Sequence, residues 1–132
     1  MTPIRLALNA SSLLLPHTGI ATYTRQLALA LRQSGEVDPR FFYRLYWSTE
    51  IRDAPLPGAG GVRSALLRLI PRPYWLKHLG VEQRRFDAGI RKNRADVYHE
   101  TSFLPYRFDG PIVITIHDLS PLRFPETHPA DR

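Results

Sequence analysis

Two short runs, IRLALN (Ile4 to Asn9) and PIVITIHD (Pro111 to Asp118), restrict this chain more than any other feature. Each is too short for a helix of ordinary length and mostly apolar along its length. That is the composition of a strand covered on both faces of a sheet. Such strands belong to parallel sheets, and parallel neighbours need a long crossover between them, usually a helix. The chain supplies one. After Ile4–Asn9 comes a loop with Pro16 and Gly19, and then apolar residues recur at Ile20, Tyr23, Leu27, Ala30 and Leu31. That spacing predicts a helix with Thr18 as N-cap and Gly35 as its stop.

The remaining elements follow the same alternation. FFYRLYW (Phe41 to Trp47) reads as a second strand, rich in aromatics. Arg52 to Val62, with two prolines and three glycines, reads as a connecting loop. Gly58, Gly60 and Gly61 lack the strand before them and the Lys-Ser/Thr after them that a phosphate loop requires. A short helix is predicted from Val62 to Ile70, ended by Pro71 and Pro73. A longer one runs from Tyr74 to Asn93, with Trp75, Leu79, Phe86 and Ile90 on one face and Glu82 and Gln83 interrupting it. ADVYHE (Ala95 to Glu100) and Ile112 to Ile116 complete the set as strands. Strands alternating with helices in this way predict a single α/β domain over residues 1–132, a parallel sheet wrapped by helices.

Bulk properties narrow the class further. The length of 132 residues and the 43% hydrophobic content suit one soluble globular domain. No apolar run approaches the roughly 20 residues needed to span a bilayer, and the first residues read as a strand rather than a secretory leader. The chain has no cysteine, which removes disulfides and thiolate metal sites. A cytoplasmic location follows as the simplest expectation. The net charge is +6. It is local: Arg63 to Arg94 holds nine basic residues against Glu82 and Asp87, a net +7. Arg84, Arg85, Arg91 and Lys92 lie in that stretch and suit an anionic partner, such as a membrane surface or a phosphorylated acceptor. A solvated basic helix face is the alternative.

In open parallel sheets, ligands bind beyond the carboxyl ends of the strands. Three places there carry suitable chemistry. At Thr18-Gly19 a helix begins, and its free N–H groups favour an anion. His99-Glu100 and His117-Asp118 each end a strand with a histidine followed by an acid. A histidine so placed can donate to a sugar hydroxyl or stabilise a leaving group, and Asp118 can orient His117. The plainer reading is a histidine closing a strand and an acid opening a turn. Other constellations fail. HETSF has Phe103 where a second zinc-binding histidine would stand, the five histidines are scattered, and no G-x-S-x-G elbow exists. No metal is expected. RPYWLKH interleaves basic and aromatic residues, yet no nucleic-acid signature accompanies it, so nucleic acid is not the expected partner.

These pieces resemble a known family. HTGIATYTRQLALAL is similar to the first loop and helix of glycosyltransferase family four, with its Gly-Ile-x-x-Tyr-Thr/Ser-x-x-Leu pattern. ADVYHETSFLPYRFDGPIVITIHDLSPLRFPETHP resembles that family's Asp-Val-Tyr-His, Thr-Ile-His-Asp-Leu and Phe-Pro-Glu-x-His-Pro series, in the same order. The resemblance implies the Rossmann-like N-terminal, acceptor-side domain of a GT-B enzyme. It lies nearest the bacterial branch that adds mannose or similar hexoses to lipopolysaccharide and capsule glycans. The implied activity is retaining hexosyl transfer from a nucleotide-sugar, GDP-mannose being the expected donor, to a glycan or lipid-linked acceptor. No further cofactor is implied. Gly19 matches the glycine that approaches the donor diphosphate, though Thr18 stands where many relatives have a second glycine. His117 matches the histidine that reaches the transferred sugar, Asp118 its neighbour, and His99 a second histidine at the cleft. The donor-binding C-terminal domain, with its Glu-x7-Glu motif, is expected outside these residues, and the sheet edge it would follow is expected to be apolar and exposed. By itself the chain is expected to be inactive. A non-catalytic glycan- or phospholipid-binding module is the competing expectation.

Overall fold

The structure is a computed structural model that describes residues 2–14, 18–52 and 80–127. The loop from Arg52 to Val62, apart from Arg52, lies outside the described residues, as do the helix expected at Val62–Ile70 and the start of the next helix at Tyr74–Leu79.

Five strands form one sheet: β1 (Ile4–Asn9), β2 (Val37–Tyr43), β3 (Tyr46–Ser48), β4 (Val97–Glu100) and β5 (Ile112–Ile114). Their order is β3-β2-β1-β4-β5, with β2, β1, β4 and β5 mutually parallel and β3 antiparallel at the edge. The α/β class read from the sequence is therefore observed. Among the described residues two helices of working length flank the sheet, α1 (Gly19–Ser34) and α2 (Val81–Asn93), and a single turn, α3 (Ser120–Arg123), follows β5.

The chain leaves β1 through a 3-10 turn (Ser11–Leu14) and enters α1 at Thr18, whose side chain accepts a 3.1 Å hydrogen bond from Ala21 N–H. Helix α1 stops at Gly35, which takes a left-handed φ of 69° that a side chain would oppose. Both ends are those predicted. The buried face is not. Ala21, Thr24 and Ala28 are buried, with Leu27 and Leu31 half-buried, whereas Tyr23 and Ala30 are exposed. Small side chains let the helix sit close to the sheet, and Thr24 is reconciled with burial by Ser12, whose hydroxyl lies 2.9 Å away. Hydrophobicity alone passes over such a residue.

The core has two halves, one on each face of the sheet. Leu8, Leu13, Phe41 and Tyr43 pack with Ala21 and Ala28 of α1. Ala7, Phe42, Tyr98 and Tyr106 pack with Phe86 of α2. The alternation Ala7/Leu8 and Phe41/Phe42 between the two clusters is the period of two of a strand buried on both sides. Around Phe86 the aromatic rings contact one another edge-on and stacked, at centroid distances of 4.8–5.6 Å.

Two strand assignments change. Phe41 to Trp47 is not one strand. It is the end of β2, a turn at Arg44-Leu45, and the returning β3. No Gly, Asn or Asp marks that turn. Arg44 takes the left-handed φ of 61° instead, tied down by two hydrogen bonds of 3.0 and 2.7 Å to Glu82 Oε1. The start of β2 contains Pro39, below the stretch that β3 covers, where β2 itself is the sheet edge and a missing donor is tolerated. The second change is at β5. The strand ends at Ile114, and Ile112, Val113, Ile114 and Ile116 are 38–59% exposed rather than buried. Position decides this: β5 is the outermost of the described strands, and among the described residues it has a strand neighbour on one side only.

In α2 the two polar interruptions of the apolar face turn out to be internal clamps. Buried Gln83 donates to the Arg107 carbonyl (3.2 Å) and accepts from the Arg107 N–H (3.0 Å), and Glu82 accepts from Tyr106 Oη at 2.8 Å. At the opposite end of the sheet Arg5 and Asp96 form a paired contact, Arg5 Nε donating at 3.0 Å and Nη2 at 2.5 Å. The Arg5 guanidinium holds the Asp96 carboxyl down at about 2.

Gly89 makes the packing of α2 against the hairpin possible. A Cβ there would stand 1.9 Å from Trp47 Nε1, and the indole donates to the Arg85 carbonyl at 3.1 Å. Gly→Ala inside a helix ordinarily stabilises it by about 0.5–1 kcal/mol. At Gly89 the sign reverses: Gly89→Ala lowers stability by about 1–3 kcal/mol, because Trp47 is displaced. Urea denaturation checks this, and a stabilised variant would mean that the indole does not lie on the helix.

Candidate functional site

Because β1, β2, β4 and β5 are parallel, their carboxyl ends share one side of the sheet. Order reverses at β1: β2 lies on one side of it and β4 on the other. The chain leaving β1 goes to α1 on one face, and the chain leaving β4 runs through Tyr106, which packs with α2 on the other face. Divergence of this kind opens a crevice at the strand ends. Every candidate at Thr18-Gly19, His99-Glu100 and His117-Asp118 lies around it.

Beneath the strand ends lies a buried carboxylate. Glu100, the last residue of β4, is wholly inaccessible. It accepts hydrogen bonds from Asn9 Nδ2 (2.8 Å to each oxygen), from Ser102 N–H (2.9 Å), from Ser102 Oγ (2.5 Å) and from Tyr98 Oη. Asn9 in turn accepts from Ser11 N–H (3.0 Å) and Oγ (2.6 Å), and Thr101 Oγ1 donates to the Asn9 carbonyl at 2.7 Å. Burial, then the adjacent Glu100 charge, pushes the Tyr98 phenol upward, so it remains a donor. Glu100 therefore positions the strand ends rather than presenting a charge to the crevice.

His99 points to the other face, with Leu8 opposite it in register and Tyr98 and Glu100 on the α2 side. Its Nε2 is 2.8 Å from Thr115 Oγ1, and the same hydroxyl is 3.0 Å from Tyr23 Oη on α1. His117 meets the Tyr23 ring edge-on at 5.0 Å. The two histidines thus converge on Tyr23 and Thr115: His99 lies on β4, and His117 follows Thr115 by two residues on the segment that leaves β5. His117 Nε2 lies 2.8 Å from the Thr101 carbonyl, which can only accept, so Nε2 carries the proton. In that tautomer Nδ1 is the acceptor, on an exposed ring.

The two acids part company with the histidines. Glu100 lies on the opposite face. Asp118 folds onto its own turn, accepting from Ser120 N–H (2.7 Å) and Oγ (2.5 Å) at the start of α3. The Thr101 carbonyl orients His117 from Nε2. Backbone thus holds one nitrogen of the His117 ring.

Tyr23 lies four residues along α1 from Gly19, on the same side of its first turns. The opening of α1 and the end of β5 consequently face one another. A Cβ at Gly19 would meet nothing within 4 Å, and Gly19 does not take a left-handed φ. Internal packing gives no reason for glycine there. Thr18 caps Ala21, and the described hydrogen bonds leave the N–H groups of Gly19 and Ile20 uncommitted. Together with the helix dipole they form an anion-accepting end.

The basic quartet is exposed on α2, and the structure divides it. Arg85 and Lys92, seven apart, edge a concavity beside β3. Arg84 and Arg91 are not among its lining residues and lie on the outer side of the helix. Among the described residues no group of three His, Asp or Glu side chains could hold a metal ion, and no helix is long and apolar enough to cross a membrane. His17, His78 and His128 lie outside the described residues.

Sequence reasoning passed over Tyr23 and Thr115. Tyr23 was a member of an apolar stripe, and a threonine within IVITI gives no polar signal of its own. Its spacing of two from His117 was the available clue, since alternate residues of an extended segment share a face.

In comparison with known proteins, the chain matches no family model, no curated protein and no solved structure.

Two predictions test the site. Burial, opposed by Glu100, lowers the His99 pKa from its ordinary 6.5. An unfolded chain takes up that proton near pH 6.5, while the folded one does so only at lower pH. The unfolded state binds more protons in that window, so stability falls as pH drops below about 6.5. Urea denaturation at pH 7.5 and 5.5 will show a smaller difference for His99→Gln than for the native chain. Glu100→Ala strands the buried donors of Asn9, Tyr98 and Ser102 and costs about 3 kcal/mol in the same assay; a loss under about 0.5 kcal/mol, as at an ordinary surface position, would contradict the network.

Proposed function

We propose that this chain is the acceptor-side, Rossmann-like part of a GT-B glycosyltransferase. It would move a hexose, mannose being the first choice, from a nucleoside-diphosphate donor to a glycan or lipid-linked acceptor with retention of anomeric configuration. Cell-surface polysaccharide synthesis is the setting this reading fits. The observation that carries it is the meeting of His117 with Tyr23 beside the uncommitted N-terminus of α1. An anion site and a sugar-facing imidazole then share one crevice, at the strand ends where ligands of such sheets bind.

The chemistry divides as follows. N–H groups of Gly19 and Ile20 receive charge as the diphosphate departs, and their stabilisation is largest when that charge is fully developed. His117, with Nε2–H held by Thr101, directs Nδ1 toward a hydroxyl of the transferred sugar and orients it. His99, Thr115 and Tyr23 form the wall behind it. Thr18 keeps the helix end in place through its cap. The cationic share of diphosphate stabilisation comes from a donor-binding domain outside these residues. Arg84 and Arg91, on the outer side of α2, face an anionic leaflet or the phosphates of a lipid-linked acceptor, which makes the protein peripheral to the cytoplasmic side of the membrane.

A panel of nucleotide-sugars, GDP-mannose first, offered to the complete gene product tests this reading. His117→Ala lowers transfer about 100-fold or more while leaving urea stability within about 1 kcal/mol. Unchanged turnover would remove His117 from the site. Sugar or phospholipid binding with no turnover of any donor would favour a non-catalytic binding module instead.

A further inference from the structure

The concavity beside β3 has no part in the proposed transfer. It is about 430 Å³ in volume, lies between the β2–β3 hairpin and α2, and is lined by Arg40, Trp47, Ser48, Arg85, Lys92 and Asn93 among others, with no acidic residue in its wall among the described residues. The crevice at His117 borders β5, the opposite edge of the sheet. Four inter-strand spacings separate the two edges, roughly 19 Å. The two places also open on opposite faces, one beside α1 and the other beside α2.

Its charges differ in availability. Arg40 is satisfied by Asp38, to which it makes contacts of 2.8 and 2.9 Å. Arg85 and Lys92 have no described anionic partner. They are two turns apart on the same margin of α2, with Ala88 and Gly89 between them, so both heads overhang one floor. That floor is rigid. Gly89 admits Trp47 against the helix, and the indole N–H is bound to the Arg85 carbonyl. Ser48 and Asn93 add neutral hydrogen-bonding groups, and the half-buried indole adds an apolar face suited to a carbon skeleton. Two unneutralised cations over an aromatic floor, with polar neutral groups at the side, recognise a phosphoryl group attached to a small polyol or ring.

We infer that this concavity is a second anion site, in which Arg85 and Lys92 grip the phosphoryl group of an organic phosphate whose carbon portion lies on Trp47. The inference does not depend on sugar transfer at the other edge. The phosphoryl group could belong to a soluble phosphate ester or to a lipid headgroup, and the same reporter separates them.

The test follows the indole N–H cross-peak of Trp47 by nuclear magnetic resonance in the ¹⁵N-labelled chain, assigned with Trp75→Phe. Titration with glycerol 1-phosphate will shift that peak saturably, while chloride at equal ionic strength will not. The double variant Arg85→Gln/Lys92→Gln raises the midpoint about tenfold or more, and Arg84→Gln/Arg91→Gln, which removes the same charge from the outer side, changes it less than about twofold. Equal weakening by both variants would mean diffuse attraction to a basic helix and would overturn the site, as would an unshifted peak with glycerol 1-phosphate and with phosphatidylglycerol vesicles alike. Vesicles that shift the peak and are displaced by glycerol 1-phosphate identify a headgroup source; a shift by the soluble ester alone identifies a free phosphate. Both outcomes support the site.

Discussion

A single buried carboxylate holds the middle of this molecule together. Parallel strands β1 and β4 are neighbours in space but 91 residues apart along the chain, as measured from Asn9 to Glu100. Backbone ladders fix their spacing. They do not fix what happens where the ladders end. There Glu100 gathers Asn9, Tyr98 and Ser102 around one charge, and Thr101 closes onto the Asn9 carbonyl. Charge-assisted hydrogen bonds are about twice as strong as neutral ones, and four donor groups replace the water that burial removes. Thr101, next in sequence, can then present its carbonyl to His117 from a fixed place.

The same arrangement gives the two faces of the sheet different work. On the α2 face the space is filled by rings and sealed by clamps from Glu82 and Gln83 to the segment after β4. On the α1 face small residues bring the helix close, and the space they leave at its first turn is occupied by Tyr23, Thr115 and the two histidines. At the strand ends the division is between packed rings on one face and a polar, partly open surface on the other, while the concavity on the α2 face lies away from them, beside β3.

How far the sequence foretold this varies with the kind of information each residue carries. Helix α1 was legible at both ends because a threonine cap and a glycine stop act locally. The parallel sheet was legible because strands apolar on both faces have few other homes. The β2–β3 hairpin was not, since Arg44 adopts its turn conformation through Glu82, 38 residues away. Nor was the fate of β5: IVITI has the composition of a central strand, and only its place in the order exposes it. At the site, the nearness of the histidines followed from strand adjacency. Their acidic neighbours go elsewhere for two reasons: Glu100 is turned to the opposite face by strand alternation, and Asp118 is drawn into the turn that starts α3.

One consequence of the outermost strand reaches beyond stability. Among the described residues the outer margin of β5 has no partner strand, and its three residues are branched aliphatics with no lysine or proline between them. Three residues past its last rung is His117. Any backbone that laid itself alongside would stiffen the tether from which that imidazole hangs, so crowding at the rim and the behaviour of the ring are mechanically linked by a stretch of chain barely ten ångströms long.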